Sequence, residues 1–204
     1  MRFLGINGSA RKDGLDNKML ELFQKKFREL GHEFEILHLM DYRIKPCQGC
    51  LNDGIEHCTP EKCFSFEDDF KEIAEKMVKS DGIIFATPSY WYNVSAVLKT
   101  LLERMTSLEN TPTKYLDGKP AAVISAAGED GAQAAITPVV ITLIHMGMVI
   151  LPYGMTYLAG KKDDPETVKY IDRIVKNMVF LAEKLNDYYW WEASKKEGKI
   201  KWQF

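Results

Sequence analysis

The chain has 204 residues, 46% of them hydrophobic and 27% charged, and 27 Lys and Arg against 29 Asp and Glu give a net charge of -2. This composition excludes a disordered or low-complexity chain, and the lack of a basic excess argues against nucleic acid or an anionic membrane as a partner. The short N-terminal apolar run predicts no secretory signal, and the interrupted apolar stretch at 134–155 predicts no membrane span. We therefore expect a cytoplasmic protein, in which four cysteines serve as ligands or free thiols rather than disulfides.

Strand and helix patterns alternate along the whole chain. Apolar or alternating runs predict strands at 2–7, 33–39, 82–87, 121–125 and 148–151, with Pro152 ending the last one. Amphipathic stripes predict helices at 16–30 and 68–79, then from Ser95 and from about 131, and a last helix with Asp164 as N-cap and Pro165 at its first position. Strict alternation predicts a parallel sheet with helices on both faces. Five such units predict an α/β protein of the flavodoxin-like, doubly wound type, with five parallel strands in the order 2-1-3-4-5.

Two segments lie outside this alternation. Residues 41–67 contain every cysteine, and residues 186–204 are rich in aromatic residues and lysine. We therefore expect one domain at 1–185 with a cysteine loop inserted at 41–67. The tail is too apolar to remain in water, so it packs on its own domain or on a neighbouring subunit.

Three loops follow the carboxyl ends of predicted strands, where such sheets bind ligands. The first, residues 8–14, has small residues before a helix N-terminus, with Ser9 to donate a hydrogen bond and Arg11 to pair with a phosphate. It matches neither a dinucleotide-binding fingerprint nor a P-loop. The interpretations are a phosphate site or an ordinary turn, and the position of the loop favours the phosphate site.

The second loop, residues 87–95, places three aromatic residues in succession, and the third, residues 126–131, is rich in small residues. The aromatic rings predict a wall for a planar heterocycle, with Asn93 at its polar edge, or a subunit contact. The third loop permits close approach to a flat ligand, although its composition alone is also that of a plain turn.

Taken together, these segments resemble the NAD(P)H-dependent FMN reductase family of flavodoxin-like proteins. The resemblance is carried by GINGSARKDG, FATPSYWYNVSAVLKTLLERM and a cysteine segment ending in CFSFEDDF, and it spans roughly residues 1–155. It points to the cysteine-bearing branch of the family, which includes the iron–sulfur flavoproteins.

The resemblance implies FMN as cofactor and NAD(P)H as co-substrate. It implies that Ser9 and Arg11 hold the phosphate. It also implies flavin contacts from Pro88, Ser89, Tyr90, Trp91, Asn93, Ala127 and Gly128. The family often has Asn-Thr where this chain has Leu15 and Asp16. Because a carboxylate repels a phosphate, we expect Asp16 to turn away and cap the helix, with Asn17 as the replacement donor.

The cysteines are Cys47, Cys50, Cys58 and Cys63, with two, seven and four residues between them. Four thiolates in one loop could bind a [4Fe–4S] cluster or, less favoured, a zinc ion, and the alternative is plain thiols in a structured loop. Iron–sulfur flavoproteins have a more compact spacing, and Asp53 stands where their third cysteine would be. His57 is a further soft ligand or a surface histidine.

The sequence therefore predicts an FMN-dependent oxidoreductase that passes a hydride from NAD(P)H to FMN, with no proton-transfer residue required of the protein. A quinone, a nitro or azo compound, a metal ion or a protein would then accept the electrons, and the resemblance implies a homodimer or homotetramer. The alternative is an iron–sulfur flavoprotein that transfers electrons from a ferredoxin-like donor. A zinc-binding docking factor is a third interpretation, against which the aromatic loop argues.

Overall fold

A parallel sheet forms the centre of the molecule. The computed structural model describes residues 1–110, 114–125, 131–157 and 164–185, and within these ranges five strands pair in parallel in the order β2-β1-β3-β4-β5. The strands are β1 (Arg2–Asn7), β2 (Glu33–His38), β3 (Gly82–Ala86), β4 (Pro120–Ser125) and β5 (Val149–Tyr157). The predicted flavodoxin-like strand order is confirmed.

Helices cover both faces of this sheet. Those described are α1 (Leu15–Glu29), α2 (Pro60–Phe64), α3 (Phe70–Lys79), α4 (Ala96–Arg104), α5 (Thr106–Glu109), α6 (Ala132–His145) and α7 (Pro165–Leu185). One core joins α1 and α7 to the sheet through residues such as Phe23 and Met178, and the other joins α3, α4 and α6 through residues such as Ile73 and Leu101. Because β3 and β4 are buried throughout, their sequences are continuously apolar rather than alternating.

Capping residues mark the start of α7 and the end of α1, as the sequence predicts. The Thr167 N–H donates to Asp164 Oδ2 at 2.8 Å, and Pro165 is the first residue of α7. Beyond α1, Gly31 has a φ of 78°, the left-handed conformation that glycine adopts without steric cost. Both features follow from chemistry within a few residues, so they are readable without the tertiary structure.

Several predicted boundaries are wrong by one residue, and three further differences concern the end of β5, the N-cap of α1 and the start of α3. The strand β5 does not stop at Pro152 but continues to Tyr157, because β5 is an edge strand and its register against β4 shifts between Ala121 and Val123. An edge strand with an irregularity tolerates a residue that cannot donate to the ladder. Asp16 is not the N-cap of α1, since the helix begins at Leu15 with Gly14 as cap. The helix α3 begins at Phe70, two residues after the predicted start at Asp68.

Within the described ranges, no helix combines the length and the apolar character that crossing a bilayer requires. The aromatic tail at 186–204 lies outside the described residues, so its predicted packing remains a prediction.

Candidate functional site

Three loops leave neighbouring strands at one edge of the sheet. They follow β1, β3 and β4, which are adjacent in the sheet, and the strand order reverses between β1 and β3. In doubly wound sheets the crevice outside this point is where ligands bind. This edge is therefore the candidate functional site.

The loop after β1 is held by side chains that the strand itself supplies. Asn7 Oδ1 accepts a 2.9 Å hydrogen bond from the Ser9 N–H, and Ser9 Oγ accepts one of 3.2 Å from the Arg11 N–H. Ser9 is buried, whereas the side chain of Arg11 is exposed and pairs with Asp13 at 3.5 Å. The loop thus fixes the Ser9 hydroxyl and leaves the Arg11 guanidinium at the surface.

The first turn of α1 adds two buried polar side chains beside this loop. Asp16 lies inside the turn, and Asn17 Nδ2 donates to Glu21 Oε1 at 2.8 Å. Among the described residues, Asn17 Oδ1 is buried without a hydrogen-bond partner. Because buried polar atoms are normally paired, this acceptor oxygen is a position where a water or a donor group of a ligand, but not an anionic oxygen, would complete the bonding.

The loop after β3 is bonded directly to the loop after β1. The Gly8 N–H donates to the Ala86 carbonyl at 2.8 Å, and Ser95 Oγ donates to the Gly8 carbonyl at 2.6 Å. Ser95 is also the N-cap of α4, where its hydroxyl accepts from the Leu98 N–H at 3.4 Å. One buried side chain therefore fixes the start of α4 against the first loop.

The aromatic residues of the second loop form the tip of a tight hairpin. Tyr90 and Asn93 exchange backbone hydrogen bonds of 3.0 and 3.1 Å, and Trp91 and Tyr92 between them have φ values of 49° and 56°. Two central residues with positive φ define a type I′ turn, which favours Asn-Gly and strains bulky residues. Trp91 is 96% exposed and Tyr92 62% exposed. Two large aromatics are thus held in an unfavourable conformation at the surface.

Gly131, the first described residue after β4, lies close to the second loop. Gly131 has a φ of 88°, and a Cβ built there would lie 2.5 Å from Ser89 Oγ and 3.1 Å from the Tyr92 ring. A side chain at this position would collide with the hairpin, so glycine is required for the close contact. Ala127 and Gly128 lie outside the described residues, and their flavin contacts stay a prediction.

The four cysteines line a second, separate cavity. Its volume is about 290 Å³, counted with the solvent at its mouth, and the lining also includes His57, Lys62, Phe66, Glu103 and Arg104. The cysteines are free, and the Gly49 N–H donates to Cys47 Sγ at 3.4 Å. Burial, reinforced by the three neighbouring cysteines, raises the pKa of the Cys58 thiol. Within the described ranges, no three Cys, His, Asp or Glu side chains stand gathered around one point as a metal site.

One wall of this cavity is a buried ion pair. Arg104 Nη1 lies 2.6 Å from Asp68 Oδ2, and neither side chain has any solvent exposure. Burial would raise the pKa of Asp68, but hydrogen bonds from Arg104 and from the Lys45 and Phe70 N–H groups outweigh it and lower that pKa. Asp68 lies two residues before α3, and its Oδ1 also accepts the N–H of Phe70, the first residue of that helix, at 3.1 Å.

Sequence reasoning missed Arg104 and Asp68 as site residues. Arg104 follows Leu101 by three positions, which places it on the inward face of α4, and a charged residue on an inward face signals a buried partner. The bond from Ser95 to Gly8 had no comparable signal, because the two residues are 87 positions apart.

Comparison with known proteins agrees with the fold. The family model described as NADPH-dependent FMN reductase matches residues 1–163. Among curated relatives, an iron–sulfur flavoprotein of Archaeoglobus fulgidus is 40% identical over 104 residues, which cover 51% of this chain and 48% of that protein. The chain thus spans about half the length of this relative.

Two further iron–sulfur flavoproteins match over longer segments. The one from Methanosarcina thermophila is 30% identical over 153 residues, covering 74% of this chain and 77% of that protein. Another from Archaeoglobus fulgidus is 27% identical over 196 residues, covering 89% and 97%.

Solved structures share the architecture. FerB, a flavoenzyme NAD(P)H:(acceptor) oxidoreductase from Paracoccus denitrificans, superposes with a TM-score of 0.65 at 25% identity, covering 90% of this chain and 98% of FerB. RosB superposes with a TM-score of 0.77 at 20% identity, covering 97% and 84%, which supports the fold alone.

Proposed function

Because this chain belongs to the NADPH-dependent FMN reductase family, a family of flavin oxidoreductases, we propose that it binds FMN at the carboxyl ends of β1, β3 and β4 and reduces it with NAD(P)H. One observation carries the proposal: the loops after these strands are joined to one another. Ser95 bonds the first loop to the second, and Gly131 brings the segment after the third against Ser89. Three loops that are distant in sequence therefore lie next to one another at one edge of the sheet.

The residues of the first loop fit the phosphate end of FMN. Backbone N–H groups at the start of α1 and the Ser9 hydroxyl supply donors, and the helix N-terminus favours an anion. Arg11 needs only to exchange its exposed partner Asp13 for the phosphate, a small cost because exposed ion pairs contribute about 0–1 kcal/mol. The carboxylate of Asp16 would repel the phosphate, so we assign Asp16 no contact with the anion.

The second and third loops fit the flat ring system. Pro88 and Ser89 would lie beneath the ring edge, Tyr90 and Trp91 would cover it, and Asn93 would face its polar edge. Exposed aromatic rings held in a strained turn gain most from a flat partner, because stacking removes their apolar faces from water. Ser125, at the end of β4, has a buried hydroxyl without a partner among the described residues, so it offers one more polar contact.

FMN, when bound, supplies the hydride chemistry, because its isoalloxazine ring accepts a hydride from a reduced nicotinamide. The protein contributes orientation and exclusion of water: the hairpin shields one side of the crevice, and donors at the rim stabilise negative charge that develops on the ring. We propose a quinone, a nitro or azo compound, a metal ion or a redox protein as the acceptor, because a reduced flavin can pass electrons to each of these classes.

The experiment is spectroscopic. The purified protein, loaded with FMN and freed of unbound FMN by gel filtration if it is colourless, should absorb at about 375 and about 450 nm, the bands of a retained flavin, and should bleach when NADPH is added without air. Arg11→Gln should weaken FMN binding about tenfold, since a charged hydrogen bond contributes about 1.5–3 kcal/mol. Lys12→Gln is the matched control, because Lys12 pairs with Asp41 instead. A protein that binds no FMN would contradict the proposal.

A second function is supported by the cysteine cavity. Four thiols around one cavity are a donor set that fits an iron–sulfur cluster or zinc, so we propose that Cys47, Cys50, Cys58 and Cys63 hold such a centre once their side chains turn inward. With a cluster the protein would be an electron-transfer module. Analysis of iron, sulfide and zinc in protein purified without air tests this proposal. Iron together with sulfide would support the cluster, and zinc alone would support a structural ion. If none of the three is found, both forms of the proposal are wrong.

A further inference from the structure

Arg104 uses every N–H of its guanidinium group. Nη1 donates to Asp68 Oδ2 at 2.6 Å and to the Lys45 carbonyl at 2.9 Å, while Nη2 donates to the Cys63 carbonyl at 2.7 Å and reaches Asp68 Oδ1 at 3.4 Å. The remaining donor, Nε, lies 2.9 Å from Cys63 Sγ. The side chain is completely buried at the wall of the cysteine cavity.

The surroundings hold this group in one orientation. The Phe66 and Phe70 rings lie 4.6 and 4.5 Å from the guanidinium carbon, and bonds to three separate segments fix its plane. The helix α4 carries it, and Ser95 anchors the opposite end of that helix about 14 Å away, at 1.5 Å per residue. The donor that meets the sulfur therefore has little freedom to turn elsewhere.

Stability alone is a poor reason for this arrangement. Burying an ion pair costs about as much as the attraction returns, and well-packed apolar residues often serve as well. An apolar residue cannot, however, direct an N–H at a sulfur. A neutral thiol accepts hydrogen bonds weakly, whereas a thiolate, free or metal-bound, accepts them well. Cys63 Sγ also lies 3.9 Å from the Arg104 carbonyl, to which its S–H donates as a thiol, and a sulfur that gave up this proton on binding a metal would keep the Nε–H as its donor.

The same pattern recurs at a second cysteine. Cys47 Sγ accepts the Gly49 N–H at 3.4 Å, so two of the four sulfurs already receive an N–H donor. Hydrogen bonds to ligating sulfurs are a principal means by which proteins orient such ligands and adjust the reduction potentials of clusters.

We propose that Arg104 is the positioning residue of the cysteine cavity: it holds Cys63 Sγ at the wall and keeps its Nε–H on that sulfur when the cysteines bind a soft metal or a cluster. This inference rests on the proposed metal-binding role of the four cysteines. Asp68 serves it indirectly, by fixing the guanidinium plane and balancing its charge.

Cadmium is the probe, because it binds thiolates and needs neither iron nor sulfide. The full chain, freed of bound metal, is titrated with Cd²⁺ as wild type, Arg104→Lys and Arg28→Lys, and the cadmium–thiolate absorption is followed. Arg104→Lys keeps the positive charge but loses the Nε donor, so we expect Cd²⁺ affinity to fall about 10–100-fold, as when an outer-shell partner of a ligand is removed. Arg28 is exposed in the last turn of α1 and does not line the cavity, so the same substitution there should leave Cd²⁺ binding like that of wild type.

A second measurement is made on the wild type and therefore does not depend on the folding of Arg104→Lys. With ¹¹³Cd bound, a proton–cadmium correlation spectrum should show coupling from one arginine Nε–H through the Cys63 sulfur, and Cys63→Ser should abolish it. If Cd²⁺ binds through thiolates but this coupling is missing, or if folded Arg104→Lys binds as tightly as wild type, the role of Arg104 is wrong and the metal proposal stands. If the wild type gives no cadmium–thiolate absorption, both are wrong.

Discussion

Ser95 Oγ donates a 2.6 Å hydrogen bond to the carbonyl oxygen of Gly8, and this single contact joins the loop after β1 to the N-terminus of α4. The same hydroxyl caps the helix by accepting from the Leu98 N–H. The candidate phosphate loop and the aromatic hairpin, which immediately precedes Ser95, thus share one buried anchor. The hydroxyl contributes to the stability of the fold and to the shape of the site at once.

The first prediction follows from that anchor. Ser95→Ala removes a helix cap, which should lower the free energy of unfolding by about 0.5–2 kcal/mol. It also leaves the buried Gly8 carbonyl without its side-chain donor, which should lower it by about 1–3 kcal/mol. We expect the free energy of unfolding to drop by about 2–4 kcal/mol and FMN affinity to drop about tenfold, measured by urea unfolding and by fluorescence titration. Thr100→Ala, whose hydroxyl bonds only to Ala96 one turn earlier, should change stability by less than about 0.5 kcal/mol. Equal effects of the two variants would contradict the assignment.

The second prediction concerns the strained hairpin. Trp91→Asn places a residue that tolerates positive φ where tryptophan is unfavourable, which should raise the free energy of unfolding by about 0.5–1 kcal/mol. The same change removes an aromatic wall, so reduction of FMN by NADPH should slow about tenfold. Stopped-flow absorbance and urea unfolding provide the two readouts.

The matched control for this hairpin is Glu67→Asn. Glu67 is also exposed and has a φ of 51°, but it is the last residue of the cysteine loop at 41–67 and does not belong to the three loops of the candidate flavin site. It should show a similar gain in stability and an unchanged rate of FMN reduction. If Trp91→Asn left the rate unchanged as well, the aromatic tip would have no part in the flavin site.

The third prediction uses the buried pair of Asp68 and Arg104. Asp68→Asn leaves a buried guanidinium without its counter-ion and should cost about 3–5 kcal/mol, whereas Asp172→Asn breaks only the exposed pair with Lys176 and should cost less than about 1 kcal/mol. Urea unfolding of both variants near neutral pH measures the difference. Similar losses would show that the buried pair is energetically equivalent to a surface pair.

The pH dependence of that pair has a definite sign. Because the folded-state pKa of Asp68 lies below its ordinary value of 3.8, the unfolded chain binds more protons as the pH falls through this value. The stabilisation from Asp68 is therefore complete above about pH 4 and is lost below it. The stability difference between wild type and Asp68→Asn should shrink on acidification below pH 4, and parallel curves would contradict the shift.

The fourth prediction concerns Lys119, which donates to the Ser80 carbonyl at 2.6 Å at the start of β4. Burial lowers its pKa to about 8, with Asp81 partly opposing the shift. Between that value and the ordinary 10.5, the unfolded chain binds more protons, so the contribution of Lys119 to stability rises with pH across this interval and is constant below it.

Lys119→Met isolates this contribution from other groups that titrate in the same range. The free energy of unfolding of wild type minus that of Lys119→Met should increase as the pH is raised above 8 and should stay level below 8. Urea unfolding at a series of pH values measures the difference. A difference that does not change with pH would show that Lys119 titrates normally in the folded protein.

Much of the architecture could be predicted because it depends on neighbours along the chain. Asp164 and Pro165 start α7, Gly31 ends α1, and the apolar runs of β3 and β4 mark strands covered on both faces. The first two loops of the candidate flavin site could also be predicted, because small residues before a helix and clustered aromatic residues after a strand are visible in the sequence. The spacing of the cysteines shows that they are close in sequence, although not that all four line one cavity.

The remaining features depend on partners that are distant along the chain, and local preferences carry no information about them. Pro152 ends a strand by local rules, but it is accommodated in β5 because that strand lies at the sheet edge. The position of Arg104 on the inward face of α4 indicates a buried partner, but only the folded chain brings Asp68 and Cys63 to its donors and shields them from water. The sequence determined which elements form and which loops bear the chemistry. The tertiary structure decided which polar groups meet, because a buried charge is retained only where its partners converge.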